Sequence, residues 1–134
     1  MNTNNKTILI VDDEKDVCTY LATLLQDNGF NVLIANNGKE GVDIAIKNNP
    51  DLISLDITMP EESGVKAFRE LQDSELTKNT PVIIVTGVDN RFKEFIHTRN
   101  QVNPPAGYFE KPVKPVEFIK KVCELLGVEI PNSA

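Results

Sequence analysis

Positive charge is in short supply in this chain: 14 Lys and Arg stand against 20 Asp and Glu, leaving a net −6 at pH 7. Nucleic-acid binding rests on clustered Lys and Arg that neutralise backbone phosphates, so that partner class is excluded. Long apolar runs are missing too. No stretch reaches membrane-spanning length, and Met1-Asn2-Thr3-Asn4-Asn5-Lys6 lacks the apolar core of a signal peptide. A cytoplasmic protein without membrane attachment is expected. Cysteine is limited to Cys18 and Cys123, far from any Cys-x-x-Cys spacing; both fall in helical patterns and read as small reduced core residues rather than a disulfide or metal site. The single histidine, His97, lies in a polar helical stretch and reads as a surface residue rather than a phosphocarrier. Linkers, internal repeats and low-complexity segments are absent between the chain ends.

What is present is an ordinary globular balance. Over 134 residues, 25% are charged and 40% hydrophobic, which suits one domain with a core that needs no staples. Short, nearly continuous apolar runs predict strands over Lys6–Val11, Phe30–Ala35, Leu52–Leu55, Pro81–Val85 and Tyr108-Phe109, as expected where both sheet faces are covered. Helical patterns separate them. Val17, Leu21, Leu24 and Leu25 mark the first, ended by Asn28-Gly29 with a left-handed glycine cap. Asn37-Gly38 opens the second, with Val42, Ile44, Ala45 and Ile46 on its apolar face and Asn49-Pro50 as its stop. Val65, Phe68 and Leu71 mark the third; Phe92, Phe95 and Ile96 suggest a less regular fourth. Pro115 starts the last, with Phe118, Ile119, Val122, Leu125 and Leu126 inward and Gly127 after it. Five strands alternating with five helices predict an α/β fold with a parallel sheet and right-handed crossovers.

The strand ends carry the chemistry. Asp12-Asp13 ends the first apolar run, Asp56 the third, Thr86-Gly87 the fourth, and Lys111-Pro112 follows the fifth. In an open parallel sheet these ends share one edge, where such folds bind ligands. Three acids, a hydroxyl and an ammonium together make a site for a divalent cation and a phosphoryl group.

The segments Ile8-Leu9-Ile10-Val11-Asp12-Asp13-Glu14, Asp56-Ile57-Thr58-Met59-Pro60-Glu61-Glu62-Ser63-Gly64, Val85-Thr86-Gly87 and Tyr108-Phe109-Glu110-Lys111-Pro112, in that order, resemble the receiver domain of two-component response regulators. The resemblance runs from about Lys6 to Leu126. It implies a flavodoxin-like, doubly wound (βα)5 three-layer sandwich with strand order 2-1-3-4-5. Residues 1–5 are expected as a disordered tail, 6–127 as the receiver domain and 128–134 as a C-terminal tail. That remainder is too short for an output domain, so the expectation is a stand-alone receiver or a piece of a longer chain.

On this resemblance Asp56 is the phosphoacceptor, a carboxylate nucleophile that attacks phosphorus. Asp12, Asp13, Asp56 and the Thr58 backbone carbonyl would hold Mg²⁺, with Mn²⁺ as a substitute; Mg²⁺ takes a few carboxylates and keeps several waters. Lys111 offsets the repulsion among the acids and contacts a phosphoryl oxygen. The Lys111-Pro112 bond is a candidate cis peptide. Thr86 donates its hydroxyl to the phosphoryl group, and Gly87 leaves room for the donor. Tyr108 stands where the family has its switch aromatic, filling the space Thr86 vacates and rearranging the surface of the fourth helix, fifth strand and last helix. The implied function is a switch in a phosphorelay, not a turnover enzyme. A sensor histidine kinase or a histidine phosphotransfer protein supplies the phosphoryl group, and a protein target or a missing output domain reads it. Phosphorylation-dependent homodimerisation is also compatible with the resemblance.

Blander readings accompany each residue: Asp56 as a loop cap, Asp12-Asp13 as caps of the following helix, Lys111 as a solvated lysine, Tyr108 as a fixed half-exposed ring. Gly38-Lys39-Glu40-Gly41 falls short of a dinucleotide fingerprint and reads as a helix start; Lys120-Lys121 reads as a solvated face. Asn103-Pro104-Pro105 makes the chain longer than usual for the family between Thr86 and Lys111, and should end the fourth helix by about Val102. Thr58 and Val88 offer no acid or amide to orient a water, so rapid self-dephosphorylation is not expected. Two other functions compete: a pseudo-receiver that binds without phosphorylation, and an aspartate-nucleophile phosphohydrolase of the haloacid dehalogenase type, which would need an acid where Thr58 stands.

Overall fold

The computed structural model describes residues 5–87 and 105–130. Among them, five parallel strands form one sheet: β1 (Thr7–Val11), β2 (Asn31–Ala35), β3 (Leu52–Asp56), β4 (Val82–Thr86) and β5 (Gly107–Glu110), in the order β2-β1-β3-β4-β5. The α-helices described are α1 (Lys15–Asp27), α2 (Gly38–Asn48), α3 (Ser63–Asp73) and a C-terminal helix (Pro115–Leu126). The expected doubly wound order is therefore observed. The expected fourth helix over Phe92, Phe95 and Ile96 lies outside the described residues, as do Val88 and His97.

Because side chains alternate across a strand, each central strand feeds two cores. Ile8 and Ile10 of β1, Leu52 of β3, and Ile83 and Val85 of β4 face one side, where they meet Leu21 and Leu25 of α1 and Phe118 and Val122 of the C-terminal helix. Leu9, Val11, Ile53, Leu55, Val82 and Ile84 face the other, with Val42 and Ala45 of α2 and Phe68 and Leu71 of α3. Every residue of β3 and β4 is buried, Ser54 included, which is why both read as nearly continuous apolar runs. Strand ends extend further than the periodicity indicated: Asp56 pairs with Val85, and Thr86 with Glu110. These two polar residues thus close the ladder instead of following it.

Helix termini follow local chemistry. Asn37 Oδ1 accepts the Glu40 N–H at 2.8 Å, and Glu40 Oε1 accepts the Asn36 N–H at 3.1 Å, so the glycine-bearing segment is a capped helix start. Gly41 is demanded by packing, since a Cβ there would lie 2.7 Å from a methyl of Val11. Gly29, at φ 91°, and Gly127, at φ 66°, take the left-handed conformation past α1 and the C-terminal helix.

Three details depart from the expected faces. Ile46 is 39% exposed, because the buried stripe of α2 is Gly38, Gly41, Val42 and Ala45, and position 46 turns one step past it. Leu125 and Leu126 are only partly buried, whereas Cys123 is fully buried; Val128 then folds back into the same core, its N–H donating to the Cys123 carbonyl at 3.0 Å. Lys121 is half-covered and lies 3.6 Å from Glu124. Both cysteines are free and buried, as their helical positions suggested.

Candidate functional site

Each chemical residue is anchored by the strand beside it. The Asp12 N–H donates to the last carbonyl of β2, Ala35, at 3.1 Å, and the Lys111 N–H donates to the last carbonyl of β4, Thr86, at 2.8 Å. Asp56 ends β3 between them, against the start of α3: a Cβ on Gly64 would strike the Asp56 carbonyl oxygen and approach Ile57 Cα to 2.7 Å. The edge of the sheet therefore holds four of the residues singled out from sequence, Asp12, Asp13, Asp56 and Lys111, as one constellation.

Carboxylate oxygens of Asp12, Asp13, Glu14 and Asp56 lie within 4.8 Å of one another. Asp12 and Asp56 are buried, each 2% exposed. Lys111 Nζ bridges them, 3.1 Å from Asp12 Oδ2 and 3.3 Å from Asp56 Oδ2, and reaches Glu14 Oε1 at 2.8 Å. The Lys111-Pro112 peptide bond is cis.

Asp56's two oxygens are differently held. Oδ1 accepts both the Thr58 N–H, at 2.8 Å, and the Thr58 hydroxyl, at 2.7 Å. Oδ2 faces Lys111. Thr58 Oγ1 in turn accepts the Gly87 N–H at 3.4 Å, linking the ends of β3 and β4. Thr86 is fully buried, and its hydroxyl donates to the Gly87 carbonyl at 3.1 Å. Above Gly87 there is space: an added Cβ would meet only Thr58 Oγ1, at 3.8 Å. Tyr108 sits outside the charged constellation, on β5 opposite Ile84, partly buried against the core on the α2–α3 side.

Burial, more than any neighbour, pushes the Asp12 carboxyl up to about 6; the Glu14 N–H opposes this, the Asp56 charge adds to it, and Lys111 opposes it. For Lys111, burial acts downward, but the bond to Glu14 and the charges of Asp56 and Asp12 outweigh it and hold the ammonium above its usual range. The Cys18 thiol, which donates to the Asp12 carbonyl at 3.3 Å, is pushed up to about 11 by burial and then by Asp12.

The expected helix capping by Asp12-Asp13 takes a different form. The N-cap of α1 is Glu14, with no side-chain cap, and Asp12 Oδ1 accepts the N–H of Glu14 itself at 2.9 Å. Two contacts escaped the sequence reading: the Glu14 carboxylate on Lys111, and the Thr58 hydroxyl on Asp56. Glu14 carried a signal, as the third consecutive acid after β1. Thr58 had none, since a hydroxyl two residues past an Asp is common in loops.

A family model described as the response regulator receiver domain matches residues 8–123. The chain is 31% identical over 122 residues to the alkaline phosphatase synthesis transcriptional regulatory protein PhoP of Bacillus subtilis, covering 91% of this chain and 49% of that protein. It is 30% identical over 122 residues to the polar-differentiation response regulator DivK of Brucella anthropi, covering 91% and 97%. It thus spans about half the length of the first relative and nearly all of the second. Among solved structures, a response regulator from Chloroflexus aurantiacus superposes with TM-score 0.78 at 28% identity, covering 91% of this chain and 98% of that one. A CheY-like receiver domain protein from Methanospirillum hungatei gives 0.79 at 27%, covering 91% and 94%.

Proposed function

This chain belongs to the response regulator receiver domain family, and from that membership we propose that it is a switch driven by phosphorylation of Asp56. Receiver domains serve two-component signalling as switches rather than as ordinary enzymes, with histidine kinases upstream and targets downstream. The observation that carries the finer reading is the Lys111 ammonium lying between the buried Asp12 and Asp56 carboxylates, 3.1 and 3.3 Å away. No core-packing need explains a lysine and two acids gathered at one sheet edge, whereas a phosphoryl acceptor needs that pairing of nucleophile and cation.

In the proposed step an Asp56 carboxylate oxygen attacks the phosphorus of a phosphohistidine. A phosphorus–oxygen bond forms, the phosphorus–nitrogen bond breaks, and its electron pair leaves with the imidazole of the kinase or phosphotransfer protein. Asp12, Asp13 and Asp56 fit a hard divalent ion such as Mg²⁺ or Mn²⁺, since their carboxylate oxygens cluster within 4.8 Å; the Thr58 carbonyl would complete the protein ligands. When bound, the ion neutralises carboxylate and phosphoryl charge. Lys111 moves its ammonium onto a phosphoryl oxygen. The Thr86 hydroxyl leaves the Gly87 carbonyl for a second phosphoryl oxygen, and the Tyr108 ring follows into the vacated space, changing the surface around β5 and the C-terminal helix that a protein target or an output domain reads. Thr58 spends its hydroxyl on Asp56, so it does not orient a hydrolytic water, and the acyl phosphate turns over slowly. That same hydroxyl disfavours the phosphohydrolase reading, which needs an acid there. This reading puts the domain in the cytoplasm, where such donors act.

Intact-mass measurement after incubation with acetyl phosphate and Mg²⁺ tests the proposal. A phosphoryl adduct is expected on the native protein and not on Asp56→Asn or in a metal-free sample. No adduct, together with no binding of the phosphoryl mimic beryllofluoride, would leave a pseudo-receiver in its place.

A further inference from the structure

Lys111 makes its shortest contact with a residue that the phosphoacceptor reading does not use. Nζ is 2.8 Å from Glu14 Oε1, closer than to Asp12 or Asp56. The three acids differ in kind. The Asp12 and Asp56 side chains are 2% and 1% exposed, whereas that of Glu14 is 60% exposed. Glu14 occupies the N-cap of α1 without capping it; its carboxylate instead spans 97 positions of sequence to meet Lys111.

A phosphoryl group on Asp56 brings about 1.5 to 2 negative charges to this edge, and Lys111 must be shared with it. We propose that Glu14 is a positioning residue that holds the Lys111 ammonium on the solvent side of the acid pair, in competition with the incoming phosphoryl group, and so raises the donor concentration needed to modify Asp56. The inference rests on the phosphoacceptor reading. Glu14 opposes the incoming group twice: it occupies the cation, and its own charge, within 4.8 Å of the other acids, repels an anion. Its exposure limits the strength of the hold. A solvated carboxylate releases Lys111 at the modest cost of an exposed ion pair, so Glu14 acts as a brake and not a lock.

The reverse role is also chemically open to an acid at this place. Were Glu14 a supporting ligand of the divalent ion, its loss would weaken the ion and everything that depends on it. The two roles predict opposite signs. Calorimetric titration of the full chain with beryllofluoride at saturating Mg²⁺ reads the sign directly; the chain has no Trp to report by fluorescence. For Glu14→Gln we expect half-saturation at a roughly two- to fivefold lower concentration than for the native protein, with the difference narrowing as salt screens the pair. Glu14→Asp keeps the charge on a shorter stem and should fall between. With acetyl phosphate, the change should appear in the half-saturating concentration and much less in the maximal rate, a split that a merely structural role would not produce.

Equal half-saturation in the native and Gln proteins would overturn the tether, and weaker binding by Glu14→Gln would overturn it in favour of the ligand role. If the native protein and Asp56→Asn both fail to bind beryllofluoride, the phosphoacceptor reading fails and the tether falls with it. Native binding that Asp56→Asn abolishes, with no difference for Glu14→Gln, removes the tether alone.

Discussion

Asp12 shows how much of this site is held against its own electrostatics. Buried at the end of a central strand, with its carboxyl pushed up to about 6 from an ordinary 3.8, it binds a proton in the folded protein across a pH window where the unfolded chain has released it. The folded state holds more protons there, so the stability of the metal-free protein falls as pH rises from about 4 to about 6. Above that window the ionised Asp12 is a standing cost. In EDTA at pH 7.5, Asp12→Asn should therefore be more stable than the native protein by about 1–3 kcal/mol, with the gain fading towards pH 4. Urea unfolding at the two pH values checks this, and a destabilised Asn variant at pH 7.5 would contradict it. Thr58 has the opposite sign. Its hydroxyl bonds Asp56 Oδ1 at 2.7 Å, so Thr58→Val should lose about 1 kcal/mol in the same assay, while the Thr58 N–H bond to that oxygen remains.

At the scale of elements, the site depends on how closely α3 packs on β3. Gly64, in the first turn of α3, has no room for a Cβ because the Asp56 carbonyl is in its way. That obstacle is backbone, and it belongs to Asp56, the proposed phosphoacceptor. Gly64→Ala should cost about 2–3 kcal/mol despite its better helix propensity, and should slow phosphoryl incorporation by displacing Asp56. Gly87 provides the contrast. With only Thr58 Oγ1 at 3.8 Å from an added Cβ, Gly87→Ala should change stability by less than about 0.5 kcal/mol while narrowing the donor's approach. Thermal melts beside adduct rates separate the two: equal effects on both would mean that the packing of α3 does not set the site.

For the molecule as a whole, the acid edge is the place where two cores meet the solvent, and an ion bound there acts on the entire fold. A ligand that binds only the folded chain stabilises it by mass action, about 2.7 kcal/mol at a hundredfold excess over its Kd. Mg²⁺ should thus raise the melting temperature of the native protein, EDTA should reverse it, and Asp12→Asn should lose most of the response. Calorimetry with and without the ion reads this. An unchanged melting temperature for the native protein at tens of millimolar Mg²⁺ would argue that Asp12, Asp13 and Asp56 do not gather for a metal.

Much of this was legible in the chain because apolar periodicity and strand-end residues are local signals. Alternating runs and helical stripes named the five strands and the helices at 15–27, 38–48, 63–73 and 115–126. The order of Asp12-Asp13, Asp56, Thr86 and Lys111 along those runs placed them on one edge, since parallel strands point the same way. Tertiary structure alone decided the rest. Ile46 turned out of the α2 stripe because burial depends on which face meets the sheet. Glu14 found Lys111 across 97 positions, and Thr58 divided the two oxygens of Asp56 between a hydroxyl and a cation. Such pairings depend on distances of about 3 Å between side chains, and no spacing along a sequence encodes those distances.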